Sequence, residues 1–153
     1  MKKLKNSELN RIDVSTFKSI KKTPLIIILD NIRSLNNIGS IFRTSDAFLI
    51  EKIYLCGITA TPPNRKITKT AIGSTKTVEW EYINDINNLV KNLISQEVKI
   101  WSVEQAEKSS KLKDLKSIDE EKKHALIFGN EIDGVSQEVI NKSHGVIEIS
   151  HFY

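Results

Sequence analysis

The chain has 153 residues, 39% of them hydrophobic and 27% charged, with a formal net charge of +4. That length suits one domain able to bury roughly two thirds of its unfolded surface, and no apolar run reaches the roughly 20 residues a membrane helix needs. A lone cysteine, Cys56, excludes an internal disulfide, and the basic start from Met1 to Asn6 has no apolar stretch behind it, which together point to a reducing cytoplasm.

Lys2, Lys3, Lys5, Arg11, Lys18, Lys21 and Lys22 crowd the first segment. They suit either a polyanionic partner or an ordinary solvated surface. Ser7 with Glu8 after it opens an expected short amphipathic helix that stops before Thr23-Pro24, so residues 1–23 read as a basic helical extension. The run from Leu25 to Leu29 is an expected strand halted by Asp30 and Asn31. An apolar-periodic helix is expected from Asn37 to Phe48, with Gly39 in its first turn and Arg43 one turn later. Then come a strand from Lys52 to Leu55, a loop from Thr59 to Pro63, and a short basic helix from Asn64 to Ala71 that carries Arg65, Lys66 and Lys69 and ends at Gly73. A strand from Val78 to Tyr82, a helix from Asp85 to Gln96 and a strand from Val98 to Val103 follow. The polar stretch from Glu104 to Lys123 is weakly patterned and reads as a connection. A strand from Leu126 to Phe128 feeds the loop Gly129 to Ser136, and a helix to Lys142 and a strand from Val146 to Ile149 complete the pattern. Strands alternating with helices predict a single α/β domain over 1–153, a parallel sheet flanked by helices. The two apolar strands that stop at Asp30 and at Gly129 are expected to build one site at the sheet's carboxyl edge.

Several other chemistries find no support. His124, His144 and His151 lack metal-ligand spacing and are expected at solvent-exposed or strand-edge positions, with no metal bound. The glycines form neither a phosphate-binding loop of the Walker type nor a GxGxxG fingerprint. Ser40, Ser74 and Ser136 have no glycine-flanked elbow. Trp80, Tyr82 and Trp101 read as core or dimer-face packing.

The segment Asn37-Ile38-Gly39-Ser40-Ile41-Phe42-Arg43-Thr44, followed by Gly129-Asn130-Glu131 and Asp133-Gly134-Val135, resembles motifs one and two of the SPOUT superfamily. Within it the match is to the SpoU (TrmH-like) RNA 2′-O-ribose methyltransferases. Lys3 to Asn6, Cys56 to Pro63 and Gly73 to Tyr82 resemble the small bacterial members of that group. The resemblance implies a trefoil knot at the carboxyl end, a homodimer, tRNA or rRNA as substrate, and S-adenosylmethionine held largely by backbone groups. The strand-end loops that would hold it begin at Val103, at Gly129 with Asn130, and at Ile149.

The resemblance also implies that Arg43, Asn37 and Glu131 serve the reacting centre, while Arg65, Lys66 and Lys69 meet RNA phosphates. A guanidinium can grip a phosphate with two parallel donors, and it stays protonated, so Arg43 is expected to position and to stabilise charge rather than to act as a base. Its plain alternative is a surface salt bridge. Asn37 can cap the helix, orient the nucleotide, or do both. Gly39 permits a close approach of backbone to RNA or to a neighbouring loop. Glu131 either positions Arg43 and Asn37 or is a solvated loop carboxylate, and Gly129 and Gly134 are either turn glycines or, for Gly129, a cofactor contact. Family members continue after the last strand into a Ser-Leu-Asn-Val-Ser type motif that closes the cofactor pocket, whereas here Ile149 is followed by Ser150-His151-Phe152-Tyr153. Two expectations stand: an RNA 2′-O-methyltransferase, or a catalytically inactive, truncated RNA-binding or dimerisation remnant of the same fold.

Overall fold

A computed structural model describes residues 1–149 apart from 10, 116–118 and 120. At its centre lies β1 (Thr23–Asp30), buried continuously from Ile26 to Asp30, as a strand covered on both faces must be. It pairs with β2 (Ile50–Cys56) on one side and β6 (His124–Phe128) on the other. Beyond β2 lies β3 (Trp80–Ile83), and beyond β6 come β4 (Lys99–Val103), β7 (Gly145–Glu148) and the short β5 (Ser110–Lys111). The whole seven-stranded sheet is parallel.

Alternation along the strands builds two cores. Ile26, Ile28, Ile100 and Ile127 point to one face, where α4 (Ile86–Ser95) brings Leu89, Val90 and Leu93 and α5 (Gln137–Lys142) brings Val139. Ile27, Leu29, Ile53 and Leu55 point to the other, against Ile38 and Phe42 of α2 (Leu35–Ala47) and Ile67 of α3 (Arg65–Ala71). The close approach expected at Gly39 is to α3: a Cβ there would stand 2.0 Å from Thr70 Oγ1 and 2.4 Å from the Ile67 carbonyl oxygen.

The last strand sits in an unusual slot. Ile147 pairs with Val103 on one side and with Ser110 on the other, so β7 runs between two strands that residues 104–109 connect directly. The Glu104 N–H donates to the Ile147 carbonyl at 3.0 Å, which fastens the start of that connection to β7.

The structure revises some expectations. The expected helix from Ser7 becomes a 3-10 turn at Asn6–Glu8 and a separate α1 (Val14–Ser19), capped by Asp13, whose carboxylate accepts from the Thr16 N–H at 2.8 Å. The second helix begins before Asn37 and is capped by Ser34, a better-placed short polar side chain. α3 closes at Ile72, in the left-handed conformation, rather than at Gly73. β5 arises inside the stretch expected to be a plain connection. His124 stands at the edge of β6 as its first residue, and there it is buried rather than solvent-exposed: its Nδ1 accepts from Trp101 Nε1 at 3.0 Å, leaving Nε2 to donate to the Asp119 carbonyl at 2.9 Å. His144 is exposed, and His151 lies outside the described residues. No helix among the described residues is long and apolar enough to cross a membrane.

Candidate functional site

The two motif loops meet at the carboxyl edge of the sheet, and Asn31 is where they are joined. Directly after β1 its backbone turns left-handed (φ 56°), which asparagine tolerates better than most residues. Its Oδ1 accepts from the Ile58 N–H at 3.1 Å, its Nδ2 donates to Asp30 at 3.0 Å, and its carbonyl accepts from Asn130 Nδ2 at 2.8 Å. Asn130 Oδ1 accepts from the N–H groups of Ile132 and Asp133. The Asn130 side chain is thus committed to shaping the loop and tying it to β1, while its carbonyl accepts from the Gly134 N–H at 2.9 Å and closes the tight turn.

Glu131, exposed beside it, accepts from the N–H of Arg33 at 3.1 Å and of Ser34 at 3.0 Å. Ser34 Oγ in turn accepts from the Asn37 N–H at 3.2 Å. Desolvation works against the charge on Glu131, but those backbone donors outweigh it and hold the carboxyl below its ordinary value, with a smaller contribution from the nearby Asn37 amide that falls short of a well-formed hydrogen bond. Glu131 therefore organises the entrance to α2 and does not bond Arg43. Gly129 is needed for packing: a Cβ would stand 2.2 Å from the backbone carbon of Gly134 across the tight turn.

Under this edge, the half of the sheet not covered by α2 and α3 is open. Trp101, Val103, Leu126, Phe128, Ile147 and Ile149 floor an apolar groove of about 1060 Å³, walled by Ile41, Thr44 and Phe48 of α2. Phe48 is 67% exposed. Because β6, β4 and β7 are neighbours in register, with Val103 opposite both Phe128 and Ile147, their carboxyl ends stand at one level. Val103 and Ile149 thus come together, with Gly129 one residue beyond Phe128.

Arg43 does not join them. It lines a different cleft with Asp46, roughly a third of a turn around α2 from Ile41 and Thr44, which face the groove. Arg65, Lys66 and Lys69 are exposed along α3. No cluster able to hold a metal ion occurs among the described residues. The residues missed by sequence reasoning are Asn31 and Ser34; each had a signal, an Asn directly after a strand and a Ser three residues before Asn37.

A model of the SpoU rRNA methylase family matches residues 24–152. The chain belongs to the SpoU rRNA methylase family. The SpoU match starts inside β1 and leaves out α1 and the basic segment ahead of it. An uncharacterized tRNA/rRNA methyltransferase of Borreliella burgdorferi is 30% identical over 136 residues, covering 89% of this chain and 58% of that protein. A tRNA (guanosine(18)-2′-O)-methyltransferase of Aquifex aeolicus is 28% identical over 121 residues, covering 78% of this chain and 55% of that one. Among solved structures, the SpoU methyltransferase AviRb from Streptomyces viridochromogenes, crystallised with AdoMet, superimposes with a TM-score of 0.74 at 18% identity over 95% of this chain and 58% of its own. This SpoU chain therefore spans a little over half the length of these relatives.

Proposed function

We propose that the chain is the core of an S-adenosylmethionine-dependent RNA 2′-O-methyltransferase that acts on tRNA or rRNA, works as a homodimer and carries the family's trefoil knot. The observation that carries this reading is the alignment of three adjacent strand ends, at Val103, Phe128 and Ile147, along an apolar groove beside the first-motif helix. Kinship with a protein named as a tRNA 2′-O-methyltransferase and a shared fold with one crystallised with AdoMet support it. The slot that β7 occupies between β4 and β5, two strands joined directly by residues 104–109, supports the knot.

The residues present suit the cofactor. Val103, Phe128 and Ile149 offer apolar walls for an adenosine, and the turn that opens at Gly129 follows directly on Phe128. When bound, S-adenosylmethionine supplies an electrophilic methyl group. The remaining work falls to the chain: Glu131 fixes the Arg33–Ser34 backbone and through it the start of α2, and Arg43 presents a planar donor pair to an RNA phosphate, setting the ribose hydroxyl in line. The hydroxyl proton leaves to a phosphate oxygen or to water, since the guanidinium cannot accept it.

Arg43 and the groove face different flanks of α2, which supports a dimer in which a second copy brings its own Arg43 to this groove. Exposed Phe48, Leu112 and Ile149 give such a partner an apolar surface to cover.

The test is methyl transfer from labelled S-adenosylmethionine to tRNA and rRNA by the complete gene product. In single-turnover reactions with both substrates saturating, Arg43→Lys is expected to keep most RNA affinity and lose most of the rate. A wild-type rate in that variant would remove guanidinium geometry from the mechanism, and no transfer to either RNA would remove the reading.

A further inference from the structure

On the flank of α2 away from the groove lies a second cleft, of about 690 Å³. Its walls come from three parts of the chain: Arg11 and Ile12 of the N-terminal segment, Arg43 and Asp46 of α2, and Ile72 with its neighbours at the turn after α3. Two arginines from distant parts of the sequence therefore line one cleft. Among the described residues neither takes part in an ion pair, so their donors are available to a ligand. Asp46, the carboxylate in the cleft, accepts instead from Thr77 Oγ1. The balance of charge favours an anion.

A second observation concerns the rim. Ile72 closes α3 with φ 50°, a conformation in which a β-branched residue is a genuine outlier, and it is 60% exposed. Glycine is the usual occupant of such a helix end, and Gly73 stands next to it. The exposed Ile72 side chain, like Leu49 with φ 53°, lines the cleft that holds the two arginines. Arg11 lies outside residues 24–152, which the family model matches.

We propose that this cleft binds one phosphodiester group of the RNA, gripped jointly by Arg11 and Arg43, with Ile72 as an apolar wall for the adjoining nucleoside. The N-terminal segment is then a working part of the substrate site, and Arg11 a positioning residue. This rests on the RNA reading above, though not on methyl transfer.

The experiment is binding of an in vitro transcribed tRNA to the full chain, followed by fluorescence anisotropy over a series of salt concentrations with no cofactor present. Arg11→Ala and Arg43→Ala are each expected to weaken binding by about tenfold. If both grip one phosphate, the double variant loses less than the product of the two. The slope of log affinity against log salt then falls by about 0.7 to 0.9, one contact rather than two. Ile72→Gly is expected to raise the urea midpoint, by relieving the left-handed strain, while weakening RNA binding severalfold. Unchanged binding in Arg11→Ala, or fully multiplicative losses with a slope change of two contacts, would overturn the shared grip. Unchanged binding in Ile72→Gly would overturn the nucleoside wall. Failure of methyl transfer with these results intact would count against the enzymatic reading alone, whereas no binding of either tRNA or an rRNA transcript by the unaltered chain would overturn the RNA reading and the cleft together.

Discussion

The carboxylate of Glu131 accepts a hydrogen bond from the backbone N–H of Ser34 at 3.0 Å, across 97 residues of sequence. Because Ser34 caps α2, the second-motif loop sets the angle at which the first-motif helix leaves the sheet. The carboxyl of Glu131 is held below its ordinary value of 4.5, so the stability this contact supplies is fully present above that pH and is lost as the pH falls through the lowered value. Glu131→Gln should lower the urea midpoint at neutral pH and flatten its decline in acid. Parallel curves for the two proteins below neutral pH would show that the charge is not what ties the loops.

Gly39 offers a test whose sign is informative. In an exposed helix, Gly→Ala gains up to about 1 kcal/mol. Here the added methyl would meet Thr70 and the Ile67 carbonyl, and the helices must part. Gly39→Ala should therefore cost about 1–3 kcal/mol in denaturant titration. A stabilised variant would show that α2 and α3 are not in intimate contact.

Burial pushes the Cys56 thiol up to about 12, and the carboxylates of Asp30 and Asp85 add to the effect. At pH 8 the folded protein should be inert to a thiol-specific disulfide reagent and should react at once in denaturant. Rapid labelling of the native chain would mean that β2 opens locally or packs less tightly than described.

The pKa of His144 is lowered by desolvation first and then by the charge of nearby Lys99, with His124 adding to it, and its Nδ1 accepts from the Ile100 N–H at 3.0 Å. Its pKa lies below the ordinary 6.5, so its stabilising contribution is complete above that pH and declines as the pH drops toward the lowered value. An NMR titration of its ring protons should give a midpoint below 6.5. A higher midpoint would show that the ring does not accept that bond.

How far the sequence discloses this arrangement depends on the range of the interaction involved. The apolar run before Asp30 and the Asn-x-Gly pair at Asn37 and Gly39 are local, and they led directly to β1, α2 and the motif loops. The Ser34 cap was hidden by Asn37, a residue of the same capping type three positions on. Local sequence left His124 as a solvent-exposed or strand-edge residue, because its burial depends on Trp101, 23 residues away on a neighbouring strand. β5 could not be read, since two residues of polar sequence, Ser110 and Lys111, become a strand only when β7 arrives beside them. That Arg43 and the groove occupy different flanks of α2 was implicit in helical spacing, but it needed the position of the sheet to acquire meaning.

The place of β7 also orders assembly in time. Its two walls are made of chain synthesised earlier, whereas β1, β2 and β3 with α2 and α3 make their contacts with one another within residues 23–83. Insertion between β4 and β5 must wait until residues 104–109 have formed their arch, and it closes contacts of long sequence separation at an entropic cost that local pairing does not carry. Pulsed hydrogen exchange during refolding should protect the amides of Ile53 and Leu55 before that of Ile147. Maturation of the groove would then be the slow step, set by the passage of β7 into its slot rather than by collapse of the core.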